Sequence, residues 1–68
     1  MLEKLNSLKG KKVEILLKEG RPIRCIPKQY LEEEYESYLV ELFEESAGFQ
    51  KGTLMELEEE QIKEIRPF

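Results

Sequence analysis

Val13, Ile15 and Leu17 alternate with Glu14, Leu16 and Lys18, the two-residue period of a strand with one face buried. The Glu19-Gly20 step that follows supplies a residue free to take positive φ, so Ile23 and Cys25 can return antiparallel and close a hairpin. The pattern predicts a second strand from about Pro22 to Tyr30. Pro27, which has no N–H to give to a ladder, marks a bulge or an edge where the sheet bends. Ser37 to Glu44 reads as a third strand, with Tyr38, Val40 and Leu42 on one face and Leu39 and Phe43 on the other, so both faces are partly covered. Thr53–Leu57 and Ile62–Phe68 supply two more. Between these runs, Leu31–Glu36 contains no turn residue and either extends its neighbours or forms one helical turn. Ser46–Gly52 is the longest turn-rich connection and holds Phe49 as an exposed aromatic, and Glu58–Gln61 is an acidic turn.

Ahead of the strands, Leu2, Leu5 and Leu8 recur at three-residue spacing, which predicts two turns of helix over Met1–Lys9 with one apolar stripe laid on the sheet. Gly10 stands where a helix C-cap takes positive φ. A helix this short needs packing to hold it. The expected fold is therefore mainly all-β, a five-stranded antiparallel small barrel with a short N-terminal helix. It is one domain over residues 1–68, helix 1–9 and barrel 10–68. Leu5, Leu8, Val13, Ile15, Leu17, Ile23, Val40, Leu42, Leu57, Ile62 and Ile65 form its core. A chain of this length buries only about 60% of its unfolded surface, enough for one core.

Composition narrows the function more than it assigns one. A hydrophobic content of 40% exceeds that of a disordered acidic tail, and no run of about 18 apolar residues exists to span a membrane. The opening M-L-E-K-L-N-S-L-K-G-K-K is too charged for a signal peptide, so the cytoplasm is expected and a membrane partner is not. With no histidine and a single cysteine, Cys25 reads as a small buried hydrophobe, and neither a disulfide nor a zinc site is expected. Aspartate is also missing, as are a phosphate-cradling glycine loop and a serine elbow. The expectation is no enzyme, no catalytic residue, no metal and no cofactor. The runs Glu32-Glu33-Glu34 and Glu58-Glu59-Glu60 read as solvated faces. Charge is lopsided within the net −4: residues 1–28 hold eight bases against three acids, residues 29–68 three against twelve. In a small barrel those halves interleave, and opposite charges become neighbours.

The motif Leu8-x-Gly10, then Val13, Ile15 and Leu17, then Leu17-Lys18-x-Gly20-Arg21 resembles the first motif of the Sm/Lsm family of small five-stranded barrels, with Cys25 where that family usually has glycine. Gly52-Thr53 and the following L-M-E-L-E-E-E-Q-I-K-E-I-R-P resemble its closing Gly-Thr, apolar strand, turn and last strand. Strands at these spacings also occur in other SH3-like barrels. The resemblance implies a helix before the first strand and rings in which a fourth strand pairs with a neighbour's fifth. It also implies an RNA pocket built from Asp and Asn after the second strand and Arg-Gly after the fourth. Here Tyr30–Tyr38, with an acidic insertion, fills the first place and Leu57-Glu58-Glu59-Glu60-Gln61 the second. Glu58 where arginine is expected reverses the charge beside a phosphate chain.

Two function classes follow. The first is an interaction and assembly module whose partners are copies of itself and an unidentified protein. Strand edges carry it, through Thr53, Met55, Leu57, Ile62, Glu64 and Arg66. The second, disfavoured by the reversed charge, is nucleic-acid binding through the basic first hairpin, with Lys11, Lys12, Lys18, Arg21, Arg24 and Lys28 on the phosphates and Tyr30 and Tyr38 as stacking rings. A one-faced cluster of the six cations would favour the second reading, and scattering the first.

Overall fold

A computed structural model describes residues 1–68. One short helix, α1 (Leu2–Ser7), precedes five strands: β1 (Val13–Leu17), β2 (Pro22–Glu32), β3 (Glu36–Leu42), β4 (Leu54–Glu58) and β5 (Ile62–Pro67). They form one antiparallel sheet in the order β4-β3-β2-β1-β5. The class is mainly β, as the alternation predicts. No helix is long and apolar enough to cross a membrane.

The β1–β2 hairpin pairs Val13 with Cys25 and Ile15 with Ile23, and Gly20 at its turn has φ +99°, a conformation that costs glycine no steric penalty. In the next ladder Pro27 faces Val40 and Gln29 faces Leu39, leaving Lys28 as an extra residue. This is the bulge that Pro27 announces. The Gly10 N–H donates to the Pro27 carbonyl at 2.9 Å. Since a strand residue points its nitrogen and carbonyl to the same side, the Pro27 nitrogen faces the place where β1 has already ended, and no ladder bond is lost.

Several boundaries differ from expectation. The helix stops at Ser7 with Leu8 as its C-cap, so the left-handed Gly10 (φ +81°) turns the chain into β1 and does not end the helix. Leu8 is only partly buried for the same reason. Leu31–Glu36 extends the strands, β2 gaining Leu31 and Glu32 and β3 gaining Glu36, with a bend at 33–35. β3 ends at Leu42, and β4 begins at Leu54 because Thr53 closes the preceding turn, its N–H and hydroxyl both donating to the Gln50 carbonyl.

Apart from Leu8, every residue expected in the core is buried. Leu2, Cys25 and Tyr38 join them to make a cluster of 13 hydrophobic residues. Complete burial pushes the Cys25 thiol up to about 12.

The sheet is open: β4 and β5 are its two edges, and no ladder joins them. It is nonetheless curled. In a flat sheet the outer two of five strands would lie about 19 Å apart at ~4.8 Å per step. Only the 3₁₀ turn Glu59–Gln61 connects the end of β4 to the start of β5, and at ~2 Å per residue it reaches less than half that distance. The turn is held by a capping box between Glu58 and Gln61 and by the Lys18 N–H donating to the Gln61 carbonyl at 2.9 Å.

Candidate interaction surfaces

The two edges present fewer free groups than their lengths suggest, because alternate residues turn their main chain inward. The Leu42 N–H donates to the Thr53 carbonyl at 3.0 Å, which fixes the alternation along β4. Thr53, Met55 and Leu57 therefore point main-chain groups at β3, and Leu54, Glu56 and Glu58 point theirs outward. The Glu58 N–H is already taken by the Gln61 side chain at 2.8 Å. On β1 the Leu17 N–H donates to the Arg21 carbonyl at 3.0 Å. Glu14 and Leu16 therefore turn toward β5, where they face Arg66 and Glu64. Past the bulge at Lys63, the free groups of β5 belong to Ile65 and to Pro67, which has no N–H.

Of the residues expected at an edge interface, Met55, Leu57, Glu64 and Arg66 thus spend their main-chain bonds inside the sheet, Thr53 gives its N–H to the Gln50 carbonyl and its carbonyl to the Leu42 N–H, and Leu57 and Ile62 bury their side chains in the core. Leu54, which the sequence reading left out, is the apolar side chain on the edge, 59% exposed. Its neighbours Met55 and Leu57 are also apolar, so alternation did not single it out. On the opposite face of β4 from Leu54, a groove of about 400 Å³ is lined by Leu17, Phe49, Met55 and Leu57 together with Lys18, Glu19, Glu60 and Gln61.

The six candidate cations are not gathered on one open face. Arg24 lies 2.5 Å from Glu44 and 3.3 Å from Glu14, and its guanidinium is also 5.1 Å from the centre of the Phe68 ring. The hydrogen bonds to Glu44 and Glu14 raise its pKa further. Lys28 on the bulge reaches Glu41 at 3.1 Å, and Arg21 reaches Glu19 at 3.6 Å and the Ala47 carbonyl at 3.2 Å. The Lys12 ammonium is 5.0 Å from the centre of the Phe43 ring. Only Lys11 and Lys18 are exposed with neither a carboxylate nor a ring against them.

The two tyrosines proposed for stacking separate. Tyr38 is 0% exposed, and its hydroxyl donates to Asn6 Oδ1 at 3.1 Å, tying α1 to β3. It is a core residue and offers no face to a base, as its placement with Val40 and Leu42 implies. Tyr30 is partly buried and packs edge-on against it, ring centres 5.9 Å apart. A hydrogen bond to Glu36 raises the Tyr30 hydroxyl pKa.

A second cleft of about 400 Å³ opens on the other face of β4, lined by Glu33, Glu34, Tyr35, Ser37, Glu56 and Glu58 with Leu31 and Gln61. No group of side chains is arranged to hold a metal ion. No protein-family model, curated protein or solved structure matches the chain.

Proposed function

We propose that this chain is a non-enzymatic, Sm-like small-barrel assembly module of the cytoplasm that joins copies of itself through the free edges of β4 and β5. The observation that carries the reading is the curled sheet ending on two uncovered strands, with exposed Leu54 on one of them. These are the two strands that the Sm/Lsm resemblance pairs between neighbours. An uncovered edge leaves N–H and C=O groups to water and is a template for another strand. A closed ring satisfies both edges at once, whereas a single pairing leaves two open. The groove beside β4, apolar along Leu17, Phe49, Met55 and Leu57, gives a neighbour's side chains somewhere to bury. The contact is short, since Pro67 cannot donate and the Glu58 N–H is occupied.

Amide hydrogen exchange tests this at single residues. The Leu54, Glu56 and Ile65 N–H groups face outward in one chain, so their exchange should slow as protein concentration rises. Exchange of all three at solvent-exposed rates, unchanged from low micromolar to millimolar concentration, would refute edge pairing.

A further inference from the structure

Four glutamates surround the cleft at the end of the β2–β3 hairpin, and no cation stands among them. Glu33 and Glu34 come from the bend between the strands, Glu56 and Glu58 from β4. None of the four takes part in an ion pair, whereas Glu14, Glu41, Glu44 and Glu64 elsewhere on the sheet each hold an arginine or a lysine. The register brings them together: Ser37 stands opposite Leu31 on β2 and opposite Glu58 on β4. The bend and the edge strand thus rise on either side of Ser37.

Ser37 is a separate observation. It is only 7% exposed, yet its hydroxyl makes no hydrogen bond to another protein group. No fully enclosed side-chain polar atom lacks a partner, so the residual exposure of the Ser37 oxygen opens into the cleft it lines. Bonded to no protein group, the Ser37 hydroxyl is open to a donor that enters the cleft. At the mouth Tyr35, 72% exposed, offers an aromatic face.

We propose that this cleft receives an arginine side chain from a partner protein. A guanidinium carries five N–H donors in a planar fork and accepts nothing. That matches carboxylates on two walls, a hydroxyl on the floor and a ring at the rim. An ammonium is a compact, strongly hydrated point charge and uses such a divided set of acceptors less well. A second copy of this chain is a poor donor. Arg21, Arg24 and Arg66 are its only arginines, and each is already against a carboxylate. The inference does not rest on edge pairing.

The test is fluorescence anisotropy with a labelled Gly-Ser-spaced peptide bearing two arginines, beside versions with lysine or uncharged citrulline in their place. The protein is used as wild type, as E33Q/E56Q/E58Q, as the equally neutralised control E3Q/E44Q/E45Q, and as S37A, each checked for native circular dichroism. The arginine peptide should bind best. E33Q/E56Q/E58Q should weaken it by about tenfold or more, equivalent to ~1.4 kcal/mol, S37A by a few-fold, and the control by less than about twofold, as expected for screened distant charges. Equal losses in the two triple variants would show attraction to net charge alone and overturn the proposal. Equal affinity for the lysine or citrulline peptide, or no binding at about 1 mM peptide, would overturn it too. So would self-association without peptide that the cleft variants abolish and the control does not.

Discussion

In the middle of the sheet Glu14 on β1 lies between Arg24 of β2 and Arg66 of β5, and on the outer side of the next ladder Glu41 meets Lys28. On β4, only two strands from β2, Glu56 and Glu58 face no cation, and the main chain beside them has no partner strand. The same residue types are satisfied within the chain in one region and left open in the other. Strand position contributes to the difference, since a central strand has neighbours on both sides to supply counter-charges and carbonyls and an edge strand has one; on the other edge, β5, Glu64 finds its cation within its own strand, in Arg66. The middle holds the fold, and the ends hold what the chain can offer to others.

Core truncation should break that comparison most sharply. Ile15→Ala removes a fully buried side chain on a central strand and should destabilise by about 2–5 kcal/mol, with Val40→Ala at about 1–3. Leu54→Ala on the edge should stay within about 0.5 kcal/mol for the single chain. Urea titrations at low protein concentration measure all three. A Leu54→Ala loss as large as that of Ile15→Ala would mean that β4 is not a free edge. Gly20→Ala follows, at about 1 kcal/mol or more, since φ is +99° there and alanine resists that conformation. Open space around the residue makes the penalty purely one of backbone.

Cys25 sharpens the same contrast chemically. With its pKa raised to about 12 by burial, the native thiol stays protonated at pH 8, and a thiol reagent should react only as fast as the protein opens. The unfolded thiol ionises near its ordinary value. This contribution to stability is therefore complete below about pH 8.5 and is lost as pH rises from there toward 12. Rapid labelling of the folded protein at pH 8 would contradict the burial. Arg24→Ala should lower the melting temperature modestly, and the difference should shrink in about 1 M salt as exposed pairs are screened.

Nucleic acid marks the smallest expected effect. Three of the six candidate cations are held by glutamates, Tyr38 is internal, and Glu58–Glu60 stands where the Sm/Lsm resemblance puts Arg-Gly. Oligo-uridine should bind no tighter than about 10 µM at about 0.15 M salt, with any residue of binding falling steeply as salt rises. Sub-micromolar, base-selective binding in a filter or anisotropy titration would restore the RNA reading.

Much of the middle was legible in the sequence and little of the ends. Val13/Ile15/Leu17 and Val40/Leu42 alternate cleanly because one face of each strand is buried, and burial is what a two-residue period records. The hairpin at 33–35 was not legible as a turn, since Glu33-Glu34-Tyr35 contains no glycine, proline, asparagine or aspartate to announce one. Without that turn the acidic cleft has no visible geometry, and Glu32–Glu34 and Glu58–Glu60 look like separate solvated runs. The edges escaped for another reason. Which residue of Leu54-Met55-Glu56-Leu57 turns its main chain outward depends on hydrogen-bond phase, to which side-chain pattern is blind.

The molar mass of the wild-type chain in solution, followed by light scattering from a few to several hundred micromolar with Leu54→Lys alongside, tests edge assembly most directly. A discrete closed oligomer for the wild type, reduced to the 8.1 kDa chain by a lysine that a strand edge rejects, is the predicted result. A wild type that stays at the single-chain mass throughout, whatever the salt, would contradict it.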